Sequence, residues 1–234
     1  LSFDVAYIYY HTKGLQRFIG EIETRWQTSI YKTPFGASYA LLSGVRFISN
    51  FLIYGKEDHL SKAKETFVLG INSDASYEDG DVKWMSSLLL TLIDEIKNSS
   101  PWKVLPENVP VSVKRAFTLG TPRVLSLWPP QIEYFTKFNP FDEQARFQFI
   151  STPTSGGKTL ISQVIIAHHL ATRFTSACYV APTNSLCREV EESIKNRFKF
   201  LNLKSRILEE FSNTWFNEDD LVEPEVIILT PESL

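Results

Sequence analysis

The sequence predicts an α/β domain with a parallel sheet, preceded by a mostly α-helical domain. Residues 1 to 125 space their apolar side chains three and four positions apart, which is typical of helices. Residues 126 to 234 alternate short apolar runs with amphipathic helices, and this order indicates parallel strands with covering helices. We therefore expect a helical accessory domain at 1–125 and an incomplete α/β domain at 126–234.

Composition narrows the class of protein. Of the 234 residues, 43% are hydrophobic and 22% are charged, as in ordinary globular proteins, and no apolar run approaches the roughly eighteen residues that span a bilayer. The net charge of −3 means that any contact with nucleic acid must come from local geometry. Cys178 and Cys187 are the only cysteines, and we expect reduced packing residues in a cytoplasmic protein.

The two ends of the chain indicate a fragment of a longer protein. The chain begins without methionine and without a secretory signal pattern, and it stops at residues 230–234, directly after an apolar run. We therefore expect parts of the whole protein to lie outside these residues.

Two helices stand out in the first domain, at residues 39–51 and 82–96. Their expected core positions are Leu41, Leu42, Val45, Ile48, Phe51 and Leu52 in the first, and Val82, Met85, Leu88, Leu89, Leu92, Ile93 and Ile96 in the second. Turn-rich breaks are expected at 72–76 and 78–81, and an irregular connector at 101–110.

The first strand of the second domain is expected at 147–150, and a helix at 160–174 and a strand at 177–181 follow it. A helix at 185–198 and a strand at 226–229 follow. Both later strands are apolar throughout, which favours burial on both faces of a sheet. The packing face of the first helix is expected to consist of Leu160, Val164, Ala167, Ala171 and Phe174.

Residues 152–159, Thr-Pro-Thr-Ser-Gly-Gly-Lys-Thr, form the strongest motif, a phosphate loop between a predicted strand and a predicted helix. Backbone N–H groups of such a loop and the helix N-terminus make an anion cradle. Lys158 reaches the β- and γ-phosphate oxygens, and the Thr159 hydroxyl binds Mg²⁺, so these two are the candidate catalytic residues. The expected ATP site consists of Thr154, Ser155, Gly156, Gly157, Lys158, Thr159 and Leu160.

Four segments of residues 127–234 resemble, in order, the motifs of superfamily 2 DEAD/DEAH-box helicases. Residues 152–159 resemble motif I, residues 181–189 resemble motif Ia, and residues 228–234 resemble motif Ib. The segment 128–131, Trp-Pro-Pro-Gln, resembles the one that carries the adenine-reading glutamine. The resemblance implies a RecA-like P-loop domain that uses ATP and Mg²⁺.

Gln131 is the residue that the resemblance assigns to adenine. Its amide offers one donor and one acceptor, which match N7 and the amino group of the base. The alternative is an exposed glutamine on a helix. Trp128 or Phe117 is a candidate for stacking near the base, although we expect both to be core residues. Thr152 occupies the position where the strict phosphate loop has glycine, and helicase-type loops tolerate other small residues there.

Two segments that follow strands are expected to hold nucleic acid, because helix N-termini donate N–H groups to phosphates. The candidate residues are Pro182, Thr183, Asn184, Arg188, Thr230, Pro231 and Glu232. Capping of the helix by one of residues 183–185 is the alternative, and Arg188 suits a solvated helix face as well. The resemblance implies that DNA or RNA is held by its backbone, with little sequence preference.

Motif II, the acidic segment that organises Mg²⁺ and the attacking water, has no counterpart in the chain. Asp219 and Asp220 precede the last strand instead of following it, which favours a solvated acidic loop. We expect motif II, the arginine finger and a second RecA-like domain beyond the fragment. The fragment by itself should bind nucleotide weakly and unwind nothing. His168 and His169 point in different directions from one helix and are expected to be structural.

The first domain is rich in aromatic residues, with Arg17, Arg25 and Lys32 nearby. These aromatics are Tyr7, Tyr9, Tyr10, Phe18, Trp26, Tyr31, Phe35 and Tyr39. Such pairs stack single-stranded bases in some proteins, but more often they pack a helical core. A partner protein that binds this region is a further expectation.

The function expected from these features is that of an ATP-dependent nucleic-acid helicase or translocase in the whole protein. Two alternatives remain open at this point. One is a P-loop ATPase or kinase that does not act on nucleic acid, and the other is a non-catalytic ATP-binding scaffold.

Overall fold

The computed structural model describes most of the chain outside a few segments. The described residues are 13–28, 36–73, 80–141, 147–152, 156–173, 175–201, 204–207 and 225–233. The chain divides into two units, residues 1–100 and residues 101–234. None of the helices in the described residues has the combination of length and apolar character that crossing a bilayer requires.

The first unit is helical in all of its described residues outside the short connections. Its helices are α1 (Lys13–Thr28), α2 (Ala37–Tyr54), α3 (Glu57–Asn72) and α4 (Gly80–Ser99). Helices α2, α3 and α4 pack on one another, and α1 packs on α2. Gly55 ends α2 with a φ of 70°, in the left-handed region that glycine favours, so that the chain reverses directly into α3.

The core of the first unit follows the apolar periodicity of the sequence. Every one of the seven expected core positions of α4 is buried, and so are Leu41, Ile48, Phe51 and Leu52 of α2, whereas Leu42 and Val45 are half-buried. The two predicted helices are therefore confirmed. Residues 74–79, which include most of the expected turn-rich breaks, lie outside the described residues.

Helices α2 and α3 approach closely where small residues face a neighbour. A Cβ atom added at Gly44 would lie 2.2 Å from the ring of Phe67, and one at Gly70 would lie 2.8 Å from Cβ of Ala40. Phe67 is completely buried. Because cores are close-packed, glycine at these positions is what permits the contact.

The second unit combines five helices with a sheet in its described residues. Its elements are α5 (Pro101–Val104), α6 (Val111–Leu119), α7 (Pro129–Lys137), α8 (Lys158–Arg173), β1 (Ala177–Val180), α9 (Asn184–Phe198), β2 (Lys204–Ile207) and β3 (Glu225–Leu229), with 3₁₀ turns at Lys199–Leu201 and Pro231–Ser233. The strand order is β1-β3-β2, and both neighbouring pairs are parallel. An α/β unit with a parallel sheet is thus present, as expected.

Residues 101–125 belong to the second unit, although the sequence pattern assigns them to the helical domain. Val113, Phe117 and Val124 share one apolar core with α8, α9 and β3. The division at Ser100 and Pro101 therefore falls ahead of the boundary expected at 125/126. The connector expected to be irregular at 101–110 begins with the single turn of α5.

The strand expected at 147–150 is not formed, which corrects that prediction. Phe147 and Phe149 are 89% and 101% exposed, and no strand of the described residues pairs with this segment. An apolar alternation becomes a strand only where a neighbour supplies ladder hydrogen bonds. Conversely, β2 carries the polar sequence Lys-Ser-Arg-Ile, which gave no strand signal.

Strand β1 is also less buried than its apolar sequence suggested. Its residues alternate between half-buried and exposed, with Cys178 and Val180 exposed. It pairs only with β3 in the described part of the sheet, so burial on both faces was wrong for β1. Strand β3 lies between β1 and β2, and its Val226, Ile228 and Leu229 are buried as expected.

Candidate nucleotide and nucleic-acid site

The glycine pair of the phosphate loop leads directly into helix α8. Gly157 has a φ of 76°, in the left-handed region that L side chains rarely adopt. Its carbonyl oxygen accepts the N–H groups of Leu160 at 3.1 Å and Ile161 at 3.3 Å, which starts the helix at Lys158. Thr154 and Ser155 lie outside the described residues. The Leu160 N–H is thus already used inside the protein.

Lys158 and Thr159 are exposed on the first turn of α8. The Lys158 ammonium donates to the carbonyl oxygen of Thr152 at 2.8 Å and lies 3.4 Å from the Thr152 hydroxyl. The Lys158 side chain therefore points back toward Thr152, which stands where the strict phosphate loop has glycine. A positive charge at the positive end of a helix creates a place where an anion is favoured.

Gln131 joins the start of α7 to the phosphate loop. Its side chain is 3% exposed; the amide oxygen accepts the Trp128 N–H at 2.9 Å, and the amide nitrogen donates to the Gly157 carbonyl at 3.2 Å. The alternative of an exposed helical glutamine is thus not realised. The adenine-reading role of Gln131 stays a prediction. In this structure, the oxygen and the nitrogen of its side-chain amide each form a hydrogen bond within the protein.

The two aromatic candidates for the base differ in position. Phe117 is 1% exposed and lies in the core, where its ring meets Phe198 edge to face. Trp128 is 49% exposed at the start of α7. Of these two, only Trp128 presents ring surface to solvent beside the loop that Gln131 contacts.

A cavity of about 550 Å³ lies between α7 and residues 147–152, which lead to the phosphate loop. It is lined mainly by aromatic and polar side chains, among them Tyr134, Phe138, Phe147, Gln148 and Phe149. The Tyr134 hydroxyl donates to the Gln148 side chain, and burial raises the pKa of Tyr134. The sequence analysis did not predict this cavity, because it assigned residues 147–150 to the sheet. The two phenylalanines of the Phe-Gln-Phe sequence at 147–149 were the available signal.

The segments expected to hold nucleic acid follow neighbouring strands. Val180 at the end of β1 pairs in register with Leu229 at the end of β3, and the Ala181 N–H donates to the Leu229 carbonyl at 2.9 Å. Residues 182–184 and 230–232 therefore leave the same edge of the sheet side by side. We refer to these six residues as the strand-end surface.

The side chains of the strand-end surface are mostly exposed. Pro182, Thr183, Asn184, Pro231 and Glu232 are exposed, whereas Thr230 is buried. The Thr183 hydroxyl accepts the Leu186 N–H at 3.3 Å, which confirms that one of residues 183–185 caps the helix. Arg188, one turn into α9, is exposed as well.

Glu232 brings a negative charge to the strand-end surface. A hydrogen bond from Thr230, together with its own backbone N–H, lowers the pKa of this carboxyl. Glu232 therefore stays ionised near neutral pH. A phosphate backbone would be repelled by this carboxylate, so contacts with phosphate at this surface would fall on the polar groups at the N-terminus of α9.

The histidines and the cysteine singled out from the sequence make packing and hydrogen-bond contacts within the protein. His168 packs against Phe141 with ring centroids 4.6 Å apart, and burial lowers its pKa; His169 contacts the Thr175 hydroxyl at 2.9 Å. Cys187 is buried. Asp219 and Asp220 lie outside the described residues, and the described part of the chain brings no three His, Cys, Asp or Glu residues together as metal ligands.

Comparison with known proteins adds two findings. Residues 129–234 match the family model described as DEAD/DEAH box helicase. The chain is also similar to Hachiman protein HamB of Bacillus cereus, with 28% identity over 194 residues, which cover 79% of this chain and 17% of HamB. The chain thus spans about a sixth of that relative. Since the second unit, residues 101–234, makes up less than 79% of the chain, the similarity to HamB also includes residues of the first unit.

Proposed function

Starting from the match of residues 129–234 to the DEAD/DEAH box helicases, we propose that this chain supplies the ATP-binding part of a helicase or translocase that acts on DNA or RNA. The match confirms the resemblance expected from the four motifs. In this proposal the second unit is the first part of a RecA-like domain. The match covers 17% of HamB, and in this proposal motif II and a second RecA-like domain lie outside this chain.

The observation that carries the proposal is the start of α8. A left-handed glycine, an exposed lysine and an exposed threonine stand in sequence at the positive end of a sixteen-residue helix. These residues fit the phosphates of ATP and Mg²⁺, because the Lys158 ammonium contacts a neutral backbone carbonyl that an anionic oxygen can replace. Lys158 would bind the β- and γ-phosphates, and Thr159 would place its hydroxyl on Mg²⁺.

The strand-end surface is the proposed contact with nucleic acid. Its exposed residues lie at the N-terminus of α9 and after β3, where backbone N–H groups suit phosphate oxygens. Contacts of this kind bind the sugar–phosphate backbone and do not read bases. Binding of single strands with little sequence preference, and with marked salt dependence, follows from them.

Titration of the chain with a fluorescent ATP analogue tests the nucleotide site. We expect Lys158→Ala to weaken binding by about 10- to 150-fold, which corresponds to the roughly 1.5–3 kcal/mol of a hydrogen bond to a charged group. Lys137→Ala is the matched control, since Lys137 is an exposed lysine paired with Glu133 on α7. An equal loss in the two variants would show nonspecific electrostatics instead of a phosphate site.

The rate of ATP hydrolysis by the full-length protein, with and without single-stranded DNA or RNA, tests the proposed activity. We expect stimulation by nucleic acid that is lost with Lys158→Ala. Hydrolysis that is indifferent to nucleic acid would favour a P-loop enzyme of another class. ATP binding without hydrolysis would favour a scaffold.

A further inference from the structure

A groove lies between α2 and α3, and all of its lining residues belong to the first unit. Its volume is about 540 Å³, which is in the size range of ligand pockets. The lining residues include Tyr39, Ser43, Arg46, Phe47, Asn50 and Leu69. We refer to this cavity as the α2–α3 groove.

One wall of the α2–α3 groove is a polar stripe on α2. Tyr39, Ser43, Arg46 and Asn50 follow one another at steps of four, three and four residues, so they share a face of the helix. Tyr39 and Arg46 are exposed, and Ser43 and Asn50 are half-buried. This face of α2 therefore presents a phenol ring, a hydroxyl, a guanidinium and an amide along one line.

Arg46 gives the α2–α3 groove a positive charge. It is the only charged residue of α2, and none of the residues that line the groove is Asp or Glu. In the part of the chain that the structure describes, no carboxylate pairs with Arg46. The lysines of α3 and α4 that do pair with carboxylates are Lys62, Lys64 and Lys97. The charge of Arg46 is thus available to an anionic ligand.

Aromatic and apolar surface lies beside this charge. Tyr39 is 42% exposed, and Leu69 on the α3 side is 70% exposed. The half-buried ring of Phe47 is held against the ring of His59, with centroids 6.4 Å apart. Exposed rings beside a positive charge are the combination that binds single-stranded nucleic acid, because bases stack on the rings while phosphates meet the cation.

A helical peptide fits the α2–α3 groove less well. Peptides of this kind lay a continuous apolar face into an apolar groove. Along α2, the polar Ser43, Arg46 and Asn50 interrupt the apolar surface between Tyr39 and the end of the stripe. The polar stripe and the positive charge therefore favour a nucleic-acid strand as the occupant.

We propose that the α2–α3 groove binds single-stranded nucleic acid, with a base stacked on Tyr39 and a phosphate held by Arg46. The Asn50 amide supplies a donor and an acceptor to the sugar or to a base edge. This inference goes beyond the proposed function, because the groove needs neither ATP nor the strand-end surface. Stacking and phosphate contacts are made with any sequence, so the groove would hold a strand without reading it.

Photocross-linking of the wild-type chain locates the contact without any substitution. The probe is an oligothymidylate that carries iodouracil, which forms adducts with aromatic side chains on irradiation, and no ATP is added. We expect an adduct within residues 37–54, on Tyr39 or Phe47. Adducts confined to other peptides, or none at all, would overturn the proposal. Adducts confined to residues 182–188 and 230–232 would do so while supporting the strand-end surface.

The salt dependence of binding tests the role of Arg46. Fluorescence anisotropy of a labelled oligothymidylate at several KCl concentrations gives the slope of log K against log salt. We expect Arg46→Ala to weaken binding and to reduce the size of this slope by about 0.7, the value for one phosphate contact with a single strand. Lys64→Ala is the matched control, since Lys64 lies on α3 outside the groove and pairs with Asp94. An equal change of slope in both variants would show nonspecific attraction and overturn the site.

Two substitutions at Tyr39 separate stacking from charge. Tyr39→Leu keeps apolar volume and loses the ring, and it should weaken binding at least about fivefold with the salt slope unchanged. Tyr39→Phe keeps the ring and should bind like the wild-type chain, which shows that the ring and not the hydroxyl matters. Wild-type affinity in both Tyr39→Leu and Arg46→Ala would overturn the proposal and leave the groove to a protein segment.

Discussion

Helices α4 and α8 bury similar apolar faces but begin in opposite ways. Helix α4 starts with Asp81 in its first turn, and a negative side chain is what the positive end of a helix favours. Helix α8 has no acidic residue in its first turn and begins with Lys158. Helix α4 thus has a buried apolar face and, in its own first turn, a negative charge that matches the positive end of the helix. Helix α8 satisfies packing and leaves a positive end that an anion would neutralise.

The comparison shows which residues of the two helices are explained by packing in a core and which are not. The seven apolar residues of α4 are all buried, and nothing about the helix calls for a ligand. In α8 the buried Ile161, Val164 and Leu170 account for the later turns, whereas the exposed Lys158 and Thr159 contribute to no core. Substitutions in the two helices and at the contact of α2 with α3 test how far packing alone accounts for stability.

Leu89→Ala should produce the largest loss of stability. Leu89 is completely buried in α4, and deletion of such a side chain costs about 2–5 kcal/mol. Hydrogen exchange of peptides from residues 80–99 measures the loss. Lys158→Ala is the counterpart from α8 and should change stability by less than about 0.5 kcal/mol, as expected for an exposed position. Comparable losses in both variants would remove the distinction between the two helices.

Gly44→Ala should destabilise the first unit by a smaller amount. The added Cβ would lie 2.2 Å from the ring of the buried Phe67, and overpacking of this kind costs about 1–3 kcal/mol, partly offset by up to about 1 kcal/mol of helix propensity. Gly20→Ala in α1 meets nothing within 4 Å and should stabilise by about 0.5–1 kcal/mol. Urea unfolding of the two variants should therefore give shifts of opposite sign. A stabilising Gly44→Ala would contradict the packing described for α2 and α3.

The smallest effect concerns pH and the far end of α8. Burial lowers the pKa of His168; nearby charges on Arg173 and His169 act in the same direction, and a hydrogen bond with the Asn108 backbone opposes them. The unfolded chain therefore takes up the proton first, and stability should fall as pH drops below about 6.5, the usual histidine value. His168→Leu should flatten this decrease. Melting temperatures of the wild-type chain and of His168→Leu, measured between pH 7 and pH 5, test this prediction. An equal fall of melting temperature with pH in the two proteins would contradict the lowered pKa of His168.

Sequence periodicity predicted the helices well because an α-helix closes its own hydrogen bonds. Helices at 39–51, 82–96, 160–174 and 185–198 were all found, with ends shifted by a few residues. Each pattern was local and long enough to be unambiguous. The same holds for the glycine and lysine of the phosphate loop, whose place at a helix start followed from the residues around them.

Strands were predicted less well because they depend on partners elsewhere in the chain. The apolar alternation at 147–150 forms no ladder, and the polar β2 forms one with β3. Gln131 illustrates the same limit at the site. Its sequence context suggested contact with a base, and only the fold shows its amide against the Gly157 carbonyl, 26 residues away.

The contact between Gly157 and Gln131 has a consequence for sequence variation among relatives. A Cβ atom at 157 would lie 2.0 Å from the glutamine amide, and the positive φ of Gly157 also disfavours a side chain there, so glycine is favoured at 157 while glutamine is kept at 131. Among relatives, we expect glutamine at 131 to occur together with glycine at 157, and a larger residue at 157 to occur only with a shorter one at 131. Positions 131 and 157 would then covary, although they are 26 residues apart in the sequence.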